Sequence, residues 1–106
     1  YFGNDMYINT AETISGVPSS FPGYNLSQGA TGEKVRTLQS QLNRISRNYP
    51  AIPSVAVDGV YGPRTEEAVR TFQEIFDLPP TGISDYSTWY EISDIYVGVT
   101  RIAEPM

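Results

Sequence analysis

The sequence contains neither cysteine nor histidine. Without thiolate or imidazole groups, the chain cannot build zinc sites from those ligands, nor a Cys-His or Ser-His-Asp catalytic arrangement. No acidic stretch has the alternating ligand spacing of a calcium-binding loop. We therefore expect no metal site and no cofactor. Because disulfides are impossible, the composition leaves the redox compartment open.

Long apolar runs and excess positive charge are missing as well. No stretch approaches about eighteen consecutive apolar residues, so we expect no membrane span. Seven basic residues stand against twelve acidic ones, which gives a net charge of −5. A nucleic-acid backbone attracts the opposite sign, so nucleic acid is not an expected partner. The 106 residues, 40% hydrophobic and 18% charged, suit one globular domain with a modest core.

The first part of the chain differs in pattern from the rest. Residues 1–28 have no basic residue and no sustained periodicity, so we predict an irregular N-terminal arm or linker. Its aromatic residues favour docking onto the body of the protein. These aromatic residues are Tyr1, Phe2, Tyr7, Phe21 and Tyr24. Residues 29–106 are predicted to form the domain, and the sequence leaves open whether the arm shares its fold.

Three helices are predicted in the domain, because apolar residues recur there at intervals of three and four. The first has Thr31 as its N-cap and is stopped by Pro50. The second starts at Pro63, a residue suited to the first helical position. The third starts near Ser84, runs past Ile102 and is closed by Glu104 and Pro105. The predicted fold is all-α, a compact three-helix bundle with glycine-rich connecting turns.

Two helical segments nearly repeat each other. VRTLQ, which ends at Gln39, is followed 34 residues later by VRTFQ, which ends at Gln73. A helical solenoid would need at least three such copies, and Pro79-Pro80 interrupts the second. Two similar helices around one core explain the repeat better. We predict that each glutamine amide bonds to the backbone of the turn that follows its helix.

Three ordered motifs carry a family resemblance. GxxGxxVxxLQxxL runs from Gly29 to Leu42, DGxYGxxTxxAVxxFQ from Asp58 to Gln73, and LxxxGxxxxxTW from Leu78 to Trp89. Together they resemble the peptidoglycan-binding domain family, small three-helix modules attached to bacterial wall hydrolases and spore-cortex enzymes. The family commonly has glycine where this chain has Asp77. We predict that Asp77 follows the second helix with a positive φ.

The resemblance implies a non-catalytic module that binds peptidoglycan, through its glycan strand, its stem peptide or both, and anchors an attached protein. It also implies an extracellular location, in the bacterial cell envelope or the spore, and neighbouring domains of a longer chain. The alternative is a protein–protein docking module within a spore or envelope assembly. An acidic chain with a long third helix suits that alternative.

The predicted ligand-binding residues surround the first glycine-rich turn and the start of the second helix. They are Gln39, Asp58, Tyr61, Gly62, Arg64 and Thr65. We expect Tyr61 to be partly exposed and Trp89 to be buried, and we expect both Gly59 and Gly62 to hold conformations that a side chain would strain. Glu66 and Glu67 point about 100° apart on a helix, which argues against a paired acid and base. No catalytic residue is predicted.

Overall fold

The computed structural model describes residues 20–103. It contains three helices: α1 (Glu33–Ser46), α2 (Pro63–Ile75) and α3 (Tyr86–Ala103). The predicted all-α, three-helix fold is confirmed. The aromatic residues of the arm before residue 20, and the helix end expected at Glu104 and Pro105, lie outside the described residues. No helix among the described residues has the length and apolarity needed to cross a membrane.

The apolar stripes of the three helices form one core. α1 packs extensively against α3 and at fewer places against α2. Val35, Leu38 and Leu42 from α1 are fully buried, and so is Phe72 from α2. Trp89 from α3 is buried too, as predicted. Burial of such apolar surface is the main contribution that holds the helices together.

The first helix starts one residue later than predicted, and the third starts close to its predicted position. Gly32, not Thr31, is the N-cap of α1, because Thr31 is held in an antiparallel bridge with Val60. The third helix starts at Tyr86, in agreement with the predicted start near Ser84, and Ser84 itself forms a second bridge, with Leu26.

The end of α2 agrees with the sequence. Asp77 follows the C-cap residue Phe76 and has a φ of 64°. The Leu78 amide donates to the Gln73 carbonyl at 2.8 Å, which is the bond that closes a helix through a left-handed residue. The prediction of a positive φ at Asp77 is confirmed.

The segment before α1 packs on the helices. Leu26 is 1% exposed and belongs to the core. The ring of Phe21 lies edge-on to Trp89, with centroids 6.3 Å apart. Tyr24, by contrast, is 61% exposed. We therefore propose that the domain starts before Phe21, earlier than the boundary at residue 29 that the sequence pattern predicts.

Candidate functional site

The turn between α1 and α2 is built around the amide of Gln39. Its Oε1 accepts from the backbone amides of Asp58 and Gly59, at 3.0 and 2.9 Å. Its Nε2 donates to the Val60 carbonyl at 2.9 Å and to the Thr65 hydroxyl at 3.1 Å. The predicted bonding of Gln39 to the adjoining turn is present in the structure. Gln39 and Thr65 are both buried, so their polar groups are committed to holding the turn.

The Asp58 carboxylate closes the same turn from outside. Its Oδ1 accepts from the Val60 amide at 2.9 Å and from the Gln39 side chain at 3.1 Å. The Val60 amide, followed by the Gln39 amide, holds the pKa of the Asp58 carboxyl below its ordinary value. Asp58 is exposed, so it presents a carboxylate that stays ionised at neutral pH.

Gly59 is the position in this turn that requires glycine. Its φ is 76°, and a Cβ there would lie 3.2 Å from the Gly32 carbonyl oxygen. Gly62 was expected to share this constraint, and that expectation is wrong. Gly62 has an extended φ of −105° as the N-cap of α2, and a Cβ there would meet open space.

Tyr61 is placed differently from the prediction of partial exposure. It is 1% exposed, and its hydroxyl donates to the Gly82 carbonyl at 2.6 Å. Burial raises the pKa of Tyr61 well above its ordinary value, so the hydroxyl stays a donor. Tyr61 is flanked by the exposed Val60 and the half-buried Gly62, and its ring points inward. Its hydroxyl bond to Gly82 joins the turn between α1 and α2 to the turn between α2 and α3.

A groove lies between this turn and the start of α2. It has a volume of about 270 Å³, and we call it the turn groove. Its lining is mostly apolar. The lining residues are Gln39, Val55, Ala56, Asp58, Val60, Gly62, Pro63, Arg64 and Thr65. Five of the six predicted site residues are thus brought together, and Tyr61 is the exception. Val60 is a groove residue that was not predicted, because Tyr61 was expected to be the exposed residue; once Tyr61 is known to point inward, an outward-pointing Val60 follows.

Three side chains hold the connector that forms the far wall of the groove. The Asn43 amide bonds both the amide and the carbonyl of Val55, at 2.8 and 2.7 Å. Arg36 donates to the Val57 carbonyl at 3.2 Å. Arg64 donates to the Ser54 carbonyl at 3.0 Å. Arg64 is exposed, so its guanidinium lies at the rim with donors that face solvent.

The groove thus combines a mostly apolar lining with charged groups of both signs. Arg64 supplies a fixed cation beside the first turn of α2, where backbone N–H groups have no helical partner. Asp58 supplies an anion in the same lining. Such an arrangement suits a ligand with a carboxylate at one end that can bind the Arg64 guanidinium. Asp58 is the sole carboxylate among the described residues that line the groove.

Comparison with known proteins identifies the family. Residues 31–92 match the family described as "Putative peptidoglycan binding domain". The match covers more than half of the chain, and the chain belongs to this family. A crystal structure of the "SleB N-terminal domain" superposes with a TM-score of 0.62 at 35% identity. That alignment covers 73% of this chain and 99% of the other.

The chain is also similar to parts of larger proteins. It is 38% identical over 68 residues to a "Zinc D-Ala-D-Ala carboxypeptidase" of Streptomyces albus G. It is 39% identical over 69 residues to a "Spore cortex-lytic enzyme" of Bacillus cereus, and 42% identical over 72 residues to one of Bacillus subtilis. These alignments cover 63%, 65% and 68% of this chain, but only 25%, 25% and 20% of the three relatives.

Proposed function

We propose that this chain is a non-catalytic module that binds bacterial peptidoglycan and positions whatever is attached to it in the cell envelope or the spore. The observation that carries the proposal is the family match over residues 31–92. The same region occurs in relatives named for two different activities, a carboxypeptidase and a spore cortex-lytic enzyme. Because the two enzymes are named for different reactions, the region that they share is more simply explained as a wall-binding module than as a catalytic one.

The turn groove is the binding surface we propose. Arg64 would bind a carboxylate of the stem peptide through its fork of N–H donors. Val60 is 50% exposed and would pack against the apolar part of the ligand. Gln39 and Thr65 support the groove from below, because both are buried.

The geometry of the acidic residues favours binding over catalysis. Glycoside hydrolysis uses two carboxyl groups that face each other about 5–10 Å apart. Glu66, the first acidic residue of α2, is engaged by Arg70 at 2.9 Å and by Gln28. The pKa of Asp58 is lowered, which makes its carboxyl a poor proton donor at neutral pH.

Sedimentation with purified bacterial wall sacculi tests the proposal. We expect the protein to sediment with the sacculi, and the Arg64→Ala, Val60→Ser double variant to remain in the supernatant while still folded. Arg47→Ala is the control, because Arg47 is exposed on α1's C-terminal side, away from the groove lining. No retention of the original protein at any salt concentration would contradict the proposal and support the docking-module alternative. A falling turbidity of the wall suspension would contradict the non-catalytic role.

A further inference from the structure

The ring of Tyr86 is exposed but fixed in place. Tyr86 is the first residue of α3 and is 64% exposed. Phe21 contacts it edge-on, with centroids 5.5 Å apart. Tyr90, one turn along the helix, contacts it at 4.9 Å. The hydroxyl of Tyr90 accepts from the Phe21 amide at 3.1 Å, so the supporting rings are themselves anchored. We call Phe21, Tyr86 and Tyr90 the tyrosine shelf.

The shelf lies next to the turn between α2 and α3, which is built in the same way as the turn between α1 and α2. Gln73 on α2 donates to the Ile83 carbonyl at 3.0 Å and to the Thr88 hydroxyl at 3.0 Å, and it accepts from the Gly82 amide at 2.8 Å. Gln39 makes the equivalent bonds in the first turn. Tyr86 therefore occupies at the start of α3 the place that the groove residue Pro63 occupies at the start of α2.

The surroundings of Tyr86 are polar. Its neighbours Asp85 and Ser87 are exposed, and so is Asn25 on the segment that pairs with Ser84. A contact between proteins is usually centred on a wider apolar patch. One exposed ring, supported by two less exposed rings and next to exposed polar residues, is the smaller surface that a sugar needs. The C–H face of a pyranose carries partial positive charge and packs on the negative face of an aromatic ring.

We propose that the tyrosine shelf is a second binding site, which stacks one pyranose ring of an N-acetylated glycan strand on Tyr86. The Oδ1 of Asp85 accepts from the Thr88 amide at 2.9 Å, so Asp85 binds with its other carboxylate oxygen, and together with Ser87 it bonds the hydroxyl or acetamido groups at the edge of that sugar ring. The inference rests on the proposed function for the source of the glycan. The turn groove then contacts the peptide part of the wall, and the shelf contacts the sugar part.

Titration with the soluble N-acetylglucosamine tetramer, followed by NMR, tests the shelf without any wall material. We expect the amide resonances of Asp85, Tyr86 and Ser87 to shift. Tyr86→Ala is expected to weaken binding about tenfold, roughly the effect of losing one aromatic contact. Tyr86→Phe keeps the ring and is expected to bind within about twofold of the original. The emission of Trp89, the one tryptophan in the chain, reports that each variant is folded.

Ile83→Ala is the matched control. Ile83 is apolar and partly exposed in the same turn but carries no ring, and its variant is expected to bind the tetramer normally. Equal losses in Ile83→Ala and Tyr86→Ala would overturn the inference in favour of a general apolar patch. Shelf resonances that shift with protein concentration alone would overturn it in favour of a contact between copies.

The two proposals fail in distinguishable ways. If sacculi retain the protein but the tetramer shifts no shelf resonance at millimolar concentration, the shelf inference is wrong and the proposed function stands. If the tetramer binds at Tyr86 but sacculi do not retain the protein, the wall-binding proposal is wrong and the shelf stands as a sugar site.

Discussion

Asp77 holds the backbone in a conformation that favours glycine, with a φ of 64°. A side chain there costs free energy, although less for Asp than for most residues. We expect Asp77→Gly to raise the free energy of unfolding by about 0.5 kcal/mol, even though glycine gains entropy in the unfolded chain. Asp77→Ala is expected to lower it by a similar amount. Urea unfolding measures both changes, and an Asp77→Gly protein less stable than the original would contradict the prediction.

The Asp58 carboxyl makes the free energy of unfolding depend on pH in the acid range. Two hydrogen-bond donors, the Val60 amide and the Gln39 side chain, lower the pKa of its carboxyl from 3.8. The unfolded chain lacks those donors, so the stability that they provide is complete above pH 3.8 and is lost as the pH falls through the lower native pKa. We expect Asp58→Asn, which keeps an acceptor oxygen, to lose less stability on acidification.

Urea unfolding at a series of pH values from neutral downward measures this difference. Asp94→Asn is the charge-matched control, because Asp94 is an exposed residue of α3 without a hydrogen bond or ion pair to any described side chain. An Asp58→Asn protein with the same acid profile as the original would show that the carboxylate is not responsible.

At the scale of the elements, each glutamine joins a helix to the turn that follows it. Removing the Gln39 amide by substitution with leucine leaves the amides of Asp58 and Gly59 without their acceptor. A buried donor without a partner costs about 1–3 kcal/mol. We expect Gln39→Leu to lower the free energy of unfolding by about 2–4 kcal/mol, and Gln73→Leu to act in the same direction through Gly82.

Gln41→Leu provides the comparison on the same helix. Gln41 is also buried, but its side chain forms no hydrogen bond within the part of the chain that the structure describes. Leucine at this position leaves no hydrogen-bond donor of the turn without its acceptor, so the substitution is expected to cost clearly less than Gln39→Leu. Equal effects of Gln39→Leu and Gln41→Leu in thermal and urea unfolding would mean that the turn does not depend on the hydrogen bonds of the Gln39 side chain.

The helices, and the glutamines that bond them to the turns, could be predicted from the sequence because the patterns that indicate them are local. The spacing of Val35, Leu38 and Leu42 fixes one apolar face, and Pro63 marks a helix start. The equivalence of Gln39 and Gln73 followed from a repeated pentapeptide. The bridges of Thr31 with Val60 and of Leu26 with Ser84 were not predictable in this way, because they join residues distant in sequence. The bridge at Thr31 adjoins the helix start that differs from the prediction, that of α1.

At the scale of the whole molecule, the sequence located the turn groove but not the orientation of its aromatic residue. The spacing DGxYGxxT places Asp58, Arg64 and Thr65 around one turn. Whether Tyr61 faces the groove or the core depends on the distant Gly82 carbonyl that accepts its hydroxyl. The tyrosine shelf was missed for a similar reason: Phe21 lies in a segment without periodicity and reaches Tyr86 only through the tertiary fold.

Substitution of Leu26 tests whether the segment before residue 29 unfolds together with the rest of the domain. It is buried in the core, and its backbone exchanges two hydrogen bonds with Ser84, at 3.0 and 2.8 Å. Truncating a buried leucine leaves a cavity, so we expect Leu26→Ala to lower the free energy of unfolding by about 2–4 kcal/mol. Tyr24→Ala, two residues away at an exposed position, is expected to change it by less than about 0.5 kcal/mol.

Trp89 fluorescence and circular dichroism should then report one shared transition in each variant. A loss below about 1 kcal/mol for Leu26→Ala, or a separate early transition, would return the boundary to residue 29, because the segment before it would then contribute little to the core.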